Sequence, residues 1–278
     1  MAEKMSMVFD VAHRYDEKYL HSFIERAEKR KTLRKFVDEI ITEGLNSTSL
    51  KEKIEMGDRI LYASNHKSHL DYFLLGYVIY KGGLPMPRFA AGQNLLIWPI
   101  NALIDFRKMG AFSIDRGNKR FSYRRNLYQY IQKLETEGEH ILFFPEGGRS
   151  YNGKYMEPKT GLVRAVLDEV KKEKIKVDVV PIHIDYDVVM EREIFSLLEK
   201  AKEIRFVEKG FYYALDFYAV LKRYFSTEKG KVYIKFGDPI NIRNLGECKK
   251  KVAGEIMHLI KLLGEKRVSA DAVKLLSD

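Results

Sequence analysis

From about residue 58 onward, short apolar runs alternate with stretches in which apolar residues recur every three or four positions, and no other feature restricts this chain so much. The short runs, at 59–64, 88–91, 111–114, 140–144, 177–186 and 232–236, have the length and apolar content of buried strands. Between them the spacing predicts helices, clearest in Leu127/Ile131/Leu134 ending at Gly138, in Leu162/Val163/Val166/Val170, and in Val252/Ile256/Leu259/Ile260/Leu263 ending at Gly264. Strand-helix alternation of this kind predicts an α/β fold, a mainly parallel central sheet covered by helices. Ahead of it, residues 6–44 read as two helices, the second carrying Leu33, Phe36, Val37, Ile40 and Ile41 and stopping at Gly44. The expected organisation is therefore an N-terminal helical hairpin, a two-helix segment at 1–45, followed by one main domain at 46–278.

Composition narrows the classes of function. Hydrophobic residues at 45% exclude a disordered or low-complexity chain. A single cysteine, Cys248, excludes an internal disulfide framework and a multi-cysteine zinc site, and suits a reducing compartment. Lys and Arg outnumber Asp and Glu by 49 to 39, a formal charge of +10. That charge fits an anionic partner, whether a phosphorylated substrate, an acidic carrier protein, an anionic membrane surface or nucleic acid. No recognisable nucleic-acid motif accompanies it, so nucleic acid is not expected as a partner.

The first ten residues lack the basic start and apolar core of a secretory signal. The most apolar runs, 70–80 and 95–104, fall well short of the roughly 20 residues that cross a bilayer. The expectation is a cytoplasmic chain with no transmembrane helix. Both runs read as core helices, although the second holds the single tryptophan, Trp98, and also suits a membrane interface. The basic cluster at Arg26, Lys29, Arg30, Lys31, Arg34 and Lys35 reads either as a solvated helix face or as a membrane contact.

Three motifs carry chemistry. In Ser64-Asn65-His66-Lys67-Ser68-His69-Leu70-Asp71, directly after a strand, His66 and Asp71 lie five residues apart. Inside one regular helix five steps of 100° would set them about 140° apart. They meet only if His66 sits in the turn and Asp71 in the first turn of the helix. The carboxylate then fixes the imidazole tautomer and leaves the other ring nitrogen to take a proton from a hydroxyl, a general base with no protein nucleophile. Ser68 to Asp71 is equally a capping box, with Ser68 as N-cap and Asp71 reaching back. His66, His69 and Asp71 also make a compact but incomplete metal-ligand set.

The second motif, Phe144-Pro145-Glu146-Gly147-Gly148-Arg149-Ser150, again runs from a strand into a turn. Paired glycines let backbone N–H groups converge on an anion, and Arg149 supplies a fork for phosphate. An ordinary turn with a Glu146–Arg149 ion pair is the other reading. The third lies between them, where positions 107 to 125 hold seven basic residues against one acid, Asp115, with Arg116 at a strand end placed to clamp a phosphate.

Taken in order, the His66/Asp71 block, Gly110 to Arg116, Phe144 to Ser150, and Val180-Pro181-Ile182 resemble the four signature blocks of the glycerolipid acyltransferases. These are the glycerol-3-phosphate and 1-acylglycerol-3-phosphate O-acyltransferases. The resemblance spans roughly residues 58–240 and implies that 46–278 is an acyltransferase domain. It implies direct acyl transfer from acyl-coenzyme A or acyl-carrier protein to a glycerol hydroxyl in phospholipid biosynthesis, with no metal and no other cofactor. Under it His66 is the general base and Asp71 its orienting partner. Arg116, Gly147 and Arg149 bind the acceptor phosphate, with Gly148, Ser150 and Lys159 in the same binding region. Glu146 shapes that site, and Pro181 supports the pocket. Gly147-Gly148-Arg149-Ser150 and Glu157-Pro158-Lys159-Thr160-Gly161 are similar to the glycerol-3-phosphate and dihydroxyacetone-phosphate branch, whereas Ile114-Asp115-Arg116 resembles the 1-acylglycerol-3-phosphate branch. The first acylation is the expected reaction, carried out peripherally at an anionic membrane surface on its inner face.

Overall fold

The computed structural model describes residues 15–92, 104–114, 120–150, 153–173, 175–195, 209–227, 229–269 and 271–276. Among them one mixed sheet runs through the molecule. Strands β1 (Glu39–Glu43), β2 (Arg59–Ser64), β3 (Arg88–Gly92), β4 (Ala111–Ile114), β5 (Ile141–Phe143), β6 (Val177–Tyr186) and β7 (Lys231–Phe236) are joined by two-residue strands β8 (Ile240–Asn241) and β9 (Val273–Lys274). The order across the sheet is β4-β3-β5-β2-β6-β7-β1-β9, with β8 beside β6. From β4 to β6 every neighbouring pair is parallel. Strand β7 turns antiparallel to β6, and β1 lies parallel to β7.

Both faces of the central strands β2, β5 and β6 are covered, which is why they read as nearly continuous apolar runs. Ile60 and Tyr62 of β2 point into one core with Leu20, Ile24, Leu74 and Leu75; Leu61 and Ala63 point into the other with Ile131, Val166 and Ile256. The first core is roofed by α1 (Glu17–Lys29), α2 (Thr48–Glu55) and α3 (Asp71–Lys81), the second by α4 (Phe121–Thr136), α5 (Gly161–Glu173) and α7 (Lys249–Glu265). The run at 70–80 is thus a core helix, α3. The run at 95–104 lies almost wholly outside the described residues, and Trp98 with it. Among the described residues no helix is long and apolar enough to cross a membrane.

The N-terminal segment departs from its prediction at residues 33–41. Of the two helices expected between 6 and 44, α1 is present, and residues before 15 lie outside the described residues. The stretch expected to form the second is a short 3-10 turn, Leu33–Lys35, followed by β1. Lys31, at φ 50°, sits in the left-handed region that ends a helix, and Ile40 and Thr42 alternate inward as a strand requires. Each residue of β1 pairs with one of Lys231 to Lys235, so β1 and α1 share sheet and core with residues beyond 45. Gly44 closes β1 as a turn. At φ 75° it passes so close to β7 that a Cβ there would lie 2.2 Å from the Phe236 carbonyl oxygen, an approach open only to glycine.

Candidate active site

Strands β2 and β5 are parallel neighbours, and the loops that leave their C-terminal ends carry the two strongest sequence motifs. This end of a parallel sheet is where open α/β folds bind ligands. Asn65 anchors the first loop. Its side-chain amide donates to the Ile184 carbonyl at 2.9 Å and its oxygen accepts the Ile184 N–H at 2.8 Å, so it continues the pairing of β2 with β6.

His66 lies in the turn and Asp71 opens α3, so the two meet. His66 Nδ1 donates to Asp71 Oδ2 at 2.7 Å. The same oxygen accepts the backbone N–H groups of Lys67 at 2.7 Å and Ser68 at 3.0 Å, while Oδ1 accepts the Tyr186 hydroxyl at 2.5 Å. Asp71 is completely buried and His66 nearly so. The imidazole stacks on Phe144 at 4.1 Å between ring centroids. Burial pushes the His66 pKa below its ordinary value, against the pull of the Asp71 carboxylate, so the ring is neutral at pH 7. With Nδ1 donating, Nε2 carries the lone pair of a base.

Asp71 therefore makes contacts of both kinds that the sequence allowed. It reaches back to the Ser68 N–H as a capping box does, and it orients the imidazole. Ser68 itself is not the N-cap, because the helix starts at Asp71 and Leu70 holds that position without a side-chain bond. The Ser68 hydroxyl accepts the Leu70 N–H at 3.2 Å and donates to Glu191 Oε2 at 2.8 Å.

The second loop folds against the first. The Ser150 N–H donates to the His66 carbonyl at 3.0 Å, and the Ser150 hydroxyl to the Lys154 carbonyl at 2.6 Å. Gly147, at φ 68°, makes the turn, with Gly148 half-buried after it. The Lys159 side chain covers Gly147 so closely that a Cβ there would come within 2.9 Å of it, and the Lys159 N–H bonds the Pro145 carbonyl at 2.8 Å. Arg149 is buried and its Nη1 donates to Glu191 Oε1 at 3.0 Å. Glu146 is buried too; among the described residues its Oε2 has no hydrogen-bond partner, and burial pushes its pKa up to about 7. Arg116 lies outside the described residues. Among the described residues no three His, Cys, Asp or Glu side chains are grouped as metal ligands.

The sequence model of the acyltransferase family matches residues 46–185, half of the 278-residue chain, and this span holds every motif named above. The chain belongs to the acyltransferase family. A glycerol-3-phosphate acyltransferase of Pseudoalteromonas atlantica is 38% identical over 192 residues, 68% of this chain and 22% of that protein. The enzyme of the same name from Alteromonas mediterranea is 33% identical over 235 residues, 80% of this chain and 27% of its own length. The acyltransferase chain thus spans about a quarter of the curated relatives it matches. Among solved structures, the 1-acyl-sn-glycerophosphate acyltransferase PlsC of Thermotoga maritima shares the fold at 19% identity and a TM-score of 0.50, covering 91% of this chain and 83% of its own.

Two residues of this site were not among those the sequence motifs pointed to. Tyr186 ends β6 with its hydroxyl on Asp71, and Glu191 lies six residues beyond the family match with its carboxylate between the two loops. The alternation that defines β6 could have marked Tyr186 as an inward residue at the strand's C-terminal end.

Proposed function

We propose that the chain transfers an acyl group from a thioester, acyl-coenzyme A or acyl-carrier protein, to the hydroxyl of glycerol 3-phosphate, a step of phospholipid biosynthesis. The observation that carries this reading is the buried His66–Asp71 pair, with a neutral imidazole, on a turn pinned by Ser150 to the Gly147–Arg149 loop. The name shared by the matched relatives supports the acceptor.

His66 Nε2 takes the hydroxyl proton as the acceptor oxygen attacks the thioester carbonyl, forming the C–O bond. The tetrahedral oxyanion collapses, the C–S bond breaks, and the imidazolium returns the proton to the departing thiolate. Asp71 stabilises the transient imidazolium. Arg116, Gly147, Gly148, Arg149, Ser150 and Lys159 hold the acceptor phosphate, and Glu146 shapes the wall beside them. Proton transfer and charge stabilisation suffice, and the reaction as proposed uses no metal or redox cofactor.

A product assay tests the acceptor. Purified protein is given a labelled acyl thioester and, separately, glycerol 3-phosphate, dihydroxyacetone phosphate and 1-acylglycerol 3-phosphate. The expected product is monoacylglycerol phosphate from glycerol 3-phosphate; diacylated product from the monoacyl acceptor alone would move the reaction to the second acylation. Free fatty acid with every acceptor would make the protein a thioester hydrolase.

The product is an amphiphile, and we place the chain peripherally on the anionic inner face of a membrane. Helix α6 (Lys209–Phe225) leaves Tyr218, Leu221, Tyr224 and Phe225 exposed, an aromatic and aliphatic surface in a chain of charge +10. Flotation with vesicles containing anionic lipid is expected at low salt, with weaker association at high salt. No flotation at either salt concentration removes the membrane placement.

A further inference from the structure

Glu191 is fully buried just beyond β6, in a segment that no sequence motif marks. Its Oε1 accepts the His69 N–H at 2.7 Å and Arg149 Nη1 at 3.0 Å, and its Oε2 accepts the Ser68 hydroxyl at 2.8 Å. Ser68 and His69 belong to the turn that carries His66; Arg149 belongs to the loop after β5. One carboxylate thus staples the loops of two neighbouring strands from the third strand beside them. Its own backbone is fixed in turn, since the Glu191 carbonyl accepts the N–H groups of Ile194 at 3.0 Å and Phe195 at 3.1 Å.

Burying a carboxylate and a guanidinium together gains little stability over apolar side chains of the same volume. What such a pair supplies is geometry. An acyl transfer needs the base and the phosphate clamp at a fixed separation, because small misplacements of reacting groups cost large factors in rate. We propose that Glu191 is a positioning residue that sets the distance between the His66–Asp71 base and the Arg149 clamp. The proposal rests on the acyl-transfer reading above for its kinetic consequence, though not for its structural one.

Reach and charge make opposite predictions at this site, and two substitutions separate them. Glu191→Asp keeps the charge that balances Arg149, and so the fold, but is one methylene too short to hold both loops. Glu191→Gln keeps the length, and its amide oxygen still accepts from His69 and Arg149. If position is what matters, Glu191→Asp lowers kcat/KM for glycerol 3-phosphate by about 10- to 100-fold, with the thioester KM changed less than twofold. Glu191→Gln then stays within about threefold of the unsubstituted protein.

A second readout needs no turnover. The groups that bear on the His66 ring are Asp71, Arg149 and His69, together with its burial. A loosened turn admits water, so the His66 pKa should rise toward 6.5 in Glu191→Asp and stay depressed in Glu191→Gln. NMR titration of labelled histidine measures this, with the His66 signal identified by its loss in His66→Ala. A His66 titration and acceptor kinetics unchanged in Glu191→Asp overturn the proposal, as does a Glu191→Gln protein as impaired as Glu191→Asp. If the unsubstituted protein transfers no acyl group, the acyl-transfer reading fails and the titration still decides the role of Glu191.

Discussion

His66→Ala is expected to lower the turnover of acyl transfer by about 10²- to 10⁴-fold, the contribution typical of a general base, while the protein stays folded. The imidazole fills a closed space between Phe144 and Asp71. Its removal leaves a cavity and an unsatisfied acceptor at a stability cost on the order of 2 kcal/mol. A domain with a stability of about 5–15 kcal/mol tolerates that. The Gly147–Ser150 loop, proposed to hold the phosphate, keeps its other contacts, among them the Lys159 N–H on the Pro145 carbonyl and Arg149 on Glu191, so the acceptor KM should change little. A fall in kcat with a nearly constant KM is the signature of a group that acts in the transition state. Steady-state kinetics with glycerol 3-phosphate and an acyl thioester, beside urea unfolding, measure both parts. Turnover within tenfold of the unsubstituted protein would remove His66 as the base.

The unsubstituted protein should show a pH dependence set by the same imidazole. The imidazole must be neutral to accept a proton, and burial holds its pKa below 6.5. Activity should therefore fall on the acid side of 6.5 and be level near neutrality, with the limb in kcat/KM reporting the free protein.

How much of this was legible in the sequence depended on whether the deciding contact was local. Strands β2, β4 and β6 occupy the positions that their apolar runs marked, because burial on both faces selects apolar residues along most of the strand. The His66–Asp71 pair was readable because its five-residue spacing is useful only across the boundary between a turn and a helix. Residues 33–41 misled for a physical reason. Leu33, Phe36, Val37, Ile40 and Ile41 satisfy a helical period, and Ile40 and Thr42 also satisfy a strand period. The choice was made by pairing with β7, nearly two hundred residues away. Glu191 was invisible in another way. It is one of 39 acidic residues, and nothing near it in the chain distinguishes a buried staple from a solvated carboxylate.

Asp71→Asn separates the two functions that Asp71 combines. The amide has the shape of the carboxylate, and its oxygen can still accept from His66 Nδ1 and from the Lys67 and Ser68 N–H groups. Its NH2 group would face the Tyr186 hydroxyl, which can turn its own hydrogen away and accept. The start of α3 should therefore survive, with a stability loss of about 1 kcal/mol, as for weakening a helix-start interaction. What disappears is the negative charge beside an imidazole that becomes positive during the reaction. At an effective dielectric of about 20, two unit charges 4 Å apart attract by about 4 kcal/mol, and even half of that sustained in the transition state is a factor of about 30. Turnover should accordingly fall by roughly 10- to 10³-fold. The acid limb gives an independent sign. Asp71 raises the His66 pKa against the effect of burial, so neutralising it should move the limb to lower pH. A pH profile of kcat/KM together with an unfolding curve measures all three quantities. A capping residue alone would lose the same small stability and leave turnover and limb where they were, and that result would reduce Asp71 to a helix-start residue.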